Sequence, residues 1–272
     1  MVLGKLLGGK KEESTSNQQP QQTWPPKISP PTSPERPAGE LEARQVLPPP
    51  FECSNPHYSM IYPALDDPAR PNKRLVKLAL EAAAFAEEVD LSFVTDRMSS
   101  EPYWPNIWPG EHYKLLAGLV HALQPKLVVE IGTSTGLSSL TMKKFLPAGG
   151  KVTTYDIVPW NEFSNTGLKP SDFDESLEQR IADLSDASIF AQHADFLKDA
   201  DFVFIDAAKD SVQEEVFIAN FKTIKFAGKP IFMFDDIRFW NMLKIWRNVT
   251  APKLDITSFG HWSGTGLVDW AG

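Results

Sequence analysis

"KLVVEIGTSTGLSSLTMKKFL", residues 126–146, decides the fold. An apolar, β-branched run ends at Gly132, small residues follow, and a helix-compatible pattern starts beyond Gly136. A strand that turns tightly into a helix leaves the helix's first amides free to face a ligand beyond the strand's carboxyl end. A dinucleotide fingerprint would place glycine at the third and sixth positions of this turn. Ser134 and Leu137 stand there instead, and no G-K-[ST] follows to make a P-loop. Glu130, near the strand's end, is unfavourable beside a pyrophosphate and suits a ligand carrying a cationic amino group. A plain strand–helix turn with an incidental glutamate is the competing reading.

The same alternation extends in both directions. Upstream, 73–89 and 110–123 carry helical periodicity and strong helix formers. Downstream, 151–157 reads as a second strand, a helix is expected near 175–185, and 188–196 reads as a third strand. Residues 200–206 form a fourth strand, 211–224 a helix, 229–235 a fifth strand and 239–249 a helix. "KLDITSFG" (253–260) and "GTGLVDW" (264–270) close the chain as two strands joined by a tight turn. Short β-rich runs alternating with helices predict an α/β fold, a Rossmann-like doubly wound sheet. It is mostly parallel, with an antiparallel C-terminal hairpin at or near one edge.

Composition bounds the remainder. Ten of the 23 prolines fall in residues 1–50, among Gln, Ser, Thr and charged residues. Such a stretch buries too little apolar surface to offset its ordering entropy, so 1–50 is expected to be a disordered tail. Residues 51–104 are read as an extension and helix packing on the core, and 105–272 as the main domain. A net charge of −8 without basic clusters argues against general nucleic-acid binding. Cys53 is the single cysteine, which excludes an internal disulfide and a thiolate zinc cluster. No secretory-type apolar core and no membrane-length run appears, so a cytoplasmic protein is expected.

Ligands of such sheets bind beyond the carboxyl ends of the strands. The second strand ends at Asp156, an acid placed to accept ribose hydroxyls or, alternatively, to cap the surface. The expected third strand ends in "HADF", where Ala194 and Asp195 are placed to border an adenine. Together these positions describe a site for a nucleoside with a cationic amino-acid tail and no phosphates. The arrangement resembles the class I S-adenosylmethionine-dependent methyltransferases over roughly residues 105–272, and the resemblance implies their seven-stranded sheet. It places Glu130, Gly132, Thr133 and Gly136 in the glycine-rich first motif and Ser138 against the methionyl part. Asp156 is then assigned to the ribose, and Ala194 and Asp195 to the adenine.

Two strands end on acids: "FVFIDAAKD" (202–210) and "IFMFDDIRFW" (231–240). Within the superfamily they resemble the metal-dependent small-molecule O-methyltransferases of the catechol, caffeoyl-coenzyme A and macrocin-type sugar groups. The resemblance implies a metal site at Asp206, Asp235 and Asp236, and Lys209 as general base. Three carboxylates at one sheet edge repel unless one or two are protonated or a cation joins them. Oxygen ligands suit Mg²⁺, with Mn²⁺ or Ca²⁺ open. Asp235 and Asp236 capping the following helix is the alternative. Near a metal and partly desolvated, Lys209 is expected to have a pKa lowered toward neutrality. Asp206 as base and Lys209 as a solvated surface residue both remain open.

The departures concern the acceptor. Ala208 stands where the caffeoyl relatives have an acid, their aromatic shortly after the "DKD" motif is missing, and Trp240–Asn241 comes one residue late. Candidate acceptor walls are 102–110, 159–176 and 260–264, with Trp104, Trp108, Trp160 and His261 as stacking residues. The expected activity is S-adenosylmethionine-dependent O-methylation of a small hydroxylated molecule, a sugar or catechol-like diol, with Mg²⁺ or another divalent cation. Neither nucleic acid nor membrane is an expected partner, and a homodimer is compatible with the sequence. A metal-independent methyltransferase and a nucleoside-binding protein without turnover are the alternatives.

Overall fold

The apolar run before Gly132 forms β1 (Leu127–Ile131), with four of its five residues buried. It lies near the centre of the sheet because β-branched residues on both faces suit a strand covered on both sides. A computed structural model of the chain describes residues 69–98, 112–210, 212–239, 242–260 and 262–270. These all lie within one compact unit, Glu52–Gly272. The tail expected at 1–50 lies outside the described residues.

The other strands are β2 (Lys151–Asp156), β3 (Leu177–Ile181), β4 (Phe202–Ile205), β5 (Ile231–Asp235), β6 (Lys253–Asp255) and β7 (Thr265–Asp269). Among the described residues these seven form one sheet in the order β3-β2-β1-β4-β5-β7-β6. The first five are parallel, while β7 runs antiparallel to both β5 and β6. The Rossmann-like doubly wound expectation therefore holds, with its antiparallel hairpin. The hairpin's link, 256–264, is longer than the expected tight turn, and β7 inserts between β5 and β6.

Alternating residues on each strand feed two cores. Val128, Phe202, Phe204 and Met233 face one core. There they meet α1 (Lys73–Ala86), α3 (His112–Leu123) and α4 (Leu137–Lys144). Val129, Val203, Phe232 and Phe234 face the other, against α5 (Ala187–Leu197), α6 (Gln213–Phe221) and α7 (Met242–Asn248). Helix α1 buries Leu75, Leu78, Ala79, Ala82 and Ala86, the spacing of one helical face, and Asn72 caps its start. A short helix, α2 (Ser92–Thr95), follows it. Among the described residues no helix is long and apolar enough to cross a membrane.

Two expected elements exchange identities. The region near 175–185 holds β3 rather than a helix, and 188–196 is helix α5 rather than the third strand. Strand β3 is an edge strand whose middle, Glu178-Gln179-Arg180, is only half-buried, so it lacks the apolar signature of a central strand. Helix α5 buries only Phe190 and Leu197, seven residues apart, and is started by Asp186, which accepts from the Ser188 and Ile189 amides. Ala194 and Asp195 consequently sit on a helix and not at a strand end. Asp195, with its side chain 97% exposed, pairs with Lys198 at 2.8 Å.

Candidate active site

Strand order reverses between β1 and β4, and parallel sheets place their ligand crevice there. Ile131 pairs with Ile205, and Ile205 with Phe234, so Gly132, Asp206 and Asp235 share one rim. The Asp206 amide donates to the Ile131 carbonyl at 2.9 Å, holding the ends of β1 and β4 together.

The turn after β1 is built on that contact. Gly132 has φ +102°, and a Cβ there would lie 1.9 Å from the Asp206 carbonyl oxygen. The Asp156 carboxylate fixes the turn from β2. Its Oδ2 accepts from the Thr133 and Ser134 amides at 2.9 and 3.1 Å, and its Oδ1 from the Val158 amide at 3.1 Å. A carboxylate offers about four lone-pair sites, so three amides leave room for one further donor.

Two clefts meet at this rim. The first, about 440 Å³, lies between Asp156, Ile157, Phe163, Ala182–Leu184 and Ala207. The second, about 330 Å³, is polar and includes His112, Tyr113, Ser138, Asn165, Asp235 and Asp236. Gly132, Ser134, Asp206 and Lys209 border both. Residues 182–184 directly follow β3 and occupy the place expected of Ala194 and Asp195; the misassigned strand hid them. Of the expected acceptor walls, the 159–176 segment contributes Phe163 and Asn165. Trp160 packs on Phe173 instead, centroids 5.2 Å apart. Trp104, Trp108, Trp240, Asn241 and His261 lie outside the described residues.

Glu130 does not reach either cleft. It is fully buried and accepts from the hydroxyls of Ser138 and Ser139 at the start of α4. Burial pushes its pKa from 4.5 to about 7, against the lowering by those hydroxyls and Thr154. Ser138 lines the polar cleft, with Glu130 behind it. Since the unfolded chain ionises at its ordinary value, folding takes up a proton between pH 4.5 and about 7, and stability falls as pH rises through that window. Glu130→Gln is expected to remove this contribution, up to about 1.4 kcal/mol per pH unit. Urea unfolding of both proteins at pH 5 and pH 7.5 checks it, and an unchanged slope would mean that Glu130 stays ionised.

The three strand-end acids converge on one ammonium. Lys209 Nζ donates to Asp206, and lies 3.2 Å from Asp236 Oδ2 and 4.0 Å from Asp235 Oδ2. Burial lowers the Lys209 pKa, but the charges of Asp206, Asp235 and Asp236 outweigh it and hold the group well above its ordinary value. The carboxylates surround the ammonium directly and hold its proton; the lowering expected beside a metal applies once those charges are compensated. Lys209 and Asp236 both adopt left-handed backbone, φ +60° and +56°, which is uncommon for residues with a Cβ, though less so for aspartate. The Lys209 amide donates to buried Glu214 at 2.8 Å, which fixes that turn.

Asp235 is buried, and its Oδ1 makes no hydrogen bond. Burial, then the charges of Asp206 and Asp236, raise its pKa well above the usual carboxylate range, against the pull of Lys209. Asp236 accepts from the Ser263 hydroxyl. His112 places Nδ1 3.6 Å from Asp235 Oδ1, and Tyr113 beside it is a buried phenol held protonated by burial and the nearby carboxylates. His112 was not among the expected residues. It heads a helix distant in sequence, and no motif around it signals a site.

A family model described as O-methyltransferase matches residues 91–241, more than half of the chain. The chain belongs to the O-methyltransferase family. The match spans every strand-end acid described above. As an O-methyltransferase of this family, the protein uses S-adenosylmethionine as methyl donor. It is similar to a probable caffeoyl-CoA O-methyltransferase 3 of Dictyostelium discoideum, 24% identical over 211 residues, covering 72% of this chain and 78% of that one. A putative O-methyltransferase from Klebsiella pneumoniae is 17% identical, with a TM-score of 0.45 over 70% of this chain and 96% of that one. An O-methyltransferase from Bacillus cereus, solved in complex with SAH, is 16% identical, with a TM-score of 0.40 over 73% and 92%.

Proposed function

We propose that this O-methyltransferase depends on a divalent cation and methylates a hydroxyl of a small molecule, a sugar or catechol-like diol. The observation that carries the reading is Asp235 Oδ1, a buried carboxylate oxygen without a hydrogen bond, beside Asp206 and Asp236. All three carboxylates ionised against one ammonium would leave a net charge of −2 in a partly dry site, which Asp235 avoids by holding its proton and a divalent cation would offset. The donor set, all carboxylate oxygens, fits Mg²⁺ or Mn²⁺.

Asp206, Asp235 and Asp236 would hold the cation, which lowers the pKa of an acceptor hydroxyl and fixes its position. The first cleft would hold the nucleoside. Asp156 has one acceptor site left for a ribose hydroxyl, Ala182 and Asp183 border the base, and the turn from Gly132 to Gly136, with Thr133 and Ser138, faces the methionyl part. The acceptor would lie in the second cleft, so both reactants meet where Asp206 and Lys209 border the two. A sulfonium methyl is already activated, and the protein's main work is to align the oxygen with it. Asp206 is placed to take the hydroxyl proton. Lys209 keeps its own proton while three carboxylates surround it; compensating those charges leaves burial, which favours the neutral amine.

Methyl transfer from S-adenosylmethionine to a panel of catechols and sugar diols tests the reading. EDTA is expected to abolish transfer and Mg²⁺ to restore it. Transfer indifferent to chelation would overturn the cation dependence and leave Lys209 as the resident cation. Calorimetric binding of S-adenosylmethionine without transfer to any acceptor would overturn the small-diol assignment.

A further inference from the structure

The strongest unexplained feature of the rim is a nitrogen among oxygens. His112, Asp206 and Asp235 each offer one ligand atom, and these atoms lie within 4.8 Å of one another. Across an octahedral ion of Mg²⁺ or Mn²⁺ size, opposed ligands stand about 4.2 Å apart, so a small contraction brings the three into range. Both His112 and Asp235 are at least nine-tenths buried, with side-chain exposures of 7% and 8%. The imidazole is also held in place. Its ring meets Phe204 of β4 at 5.6 Å and Tyr113 edge-on at 5.1 Å. Helix α3 packs over β4 and thus presents its first residue to the rim.

We infer that His112 is a ligand of the cation site, adding an imidazole nitrogen from α3 to the carboxylates of β4 and β5. The inference rests on the divalent-cation reading above and narrows it. An all-oxygen site suits Mg²⁺, whereas an imidazole shifts preference toward Mn²⁺, Fe²⁺ or Co²⁺. It also ties the site to the segment that carries Tyr113, so the cation would couple α3 to the strand ends. A ligand set drawn from a helix N-terminus and two strand ends forms only when the domain is folded, and ion binding is accordingly expected to stabilise the domain.

Mn²⁺ binding to the full, tag-free chain, followed by electron paramagnetic resonance, tests this without reference to activity. Bound Mn²⁺ is expected to show ¹⁴N modulation in the spin echo that converts to ¹⁵N when the protein is labelled with ¹⁵N-histidine. The chain has five histidines, so assignment needs a variant. His112→Phe keeps an aromatic ring against Phe204 and removes the donor. It is expected to lose the modulation and weaken Mn²⁺ binding about 10- to 100-fold, with a smaller loss for Mg²⁺. Bound Mn²⁺ without ¹⁴N modulation would overturn the inference and leave an all-carboxylate site intact. Modulation and affinity unchanged in His112→Phe would overturn it equally. Absence of Mn²⁺ binding by the wild-type chain would remove the cation reading itself, and this inference with it.

Discussion

Asp235→Asn is expected to raise the unfolding temperature of the metal-free protein and to cut Mg²⁺-supported methyl transfer by on the order of a hundredfold or more. The two effects have one cause. Asp235 is buried between Asp206 and Asp236, its Oδ1 lacks a hydrogen bond, and Lys209 compensates only one of three charges. Its carboxyl therefore holds its proton far above the ordinary 3.8. The unfolded chain ionises near 3.8, so stability from this group is full at acidic pH and is lost as pH rises from 3.8 toward the raised value. An asparagine cannot ionise, and its amide donates to the neighbouring carboxylates. It therefore avoids both the proton uptake and a buried charge on folding, a gain of up to about 1.4 kcal/mol for each pH unit between 3.8 and the raised value. At about 2–4 °C per kcal/mol for a domain of this size, the shift is measurable by scanning fluorimetry in EDTA at pH 7.5. Adding Mg²⁺ should then raise the wild-type midpoint and leave the variant unmoved, since only the wild type retains the full ligand set. A midpoint lowered by the substitution in EDTA would mean that the cluster is balanced without an ion.

Much of this rim was legible because it depends on adjacent parallel strands. Asp206 and Asp235 each end a run of buried apolar residues, and two parallel neighbours in register bring such endings together. Gly132 was legible for a similar reason, as a strand end turning into a helix. The adenine side was not, because β3 lies at the sheet edge and α5 buries little, so the periodic signals of strand and helix were both weak. Nor could spacing reveal the charge on Lys209 or the place of His112. Both follow from packing between distant segments: three strand-end carboxylates around one amine, and α3 lying over Phe204. Local pattern specifies elements, while the electrostatics of a site belongs to their assembly.

Gly132→Ala is expected to cost the most stability of any single methyl group added at this rim. The new Cβ would stand 1.9 Å from the Asp206 carbonyl oxygen and 2.9 Å from its carbon, both backbone atoms. That backbone cannot retreat easily, because the Asp206 amide is bonded to the Ile131 carbonyl across β1 and β4. A left-handed backbone at φ +102° adds roughly 1–2 kcal/mol of strain for any residue with a Cβ. Together the clash and the strain are expected to exceed about 3 kcal/mol, in the range of severe core lesions. Gly149→Ala is the matched control: φ is +74°, but nothing lies within 4 Å of its Cβ, so only the backbone strain applies. Because the carbonyl in the way belongs to Asp206, yielding to the methyl would also shift the carboxylate shared by both clefts. Gly132→Ala protein that remains folded should consequently lose S-adenosylmethionine binding and the Mg²⁺-induced rise in midpoint together, while Gly149→Ala keeps both. Retention of both by Gly132→Ala would show that the turn and the acid site move independently, and would break the link between donor and cation on which alignment of the reacting oxygen depends.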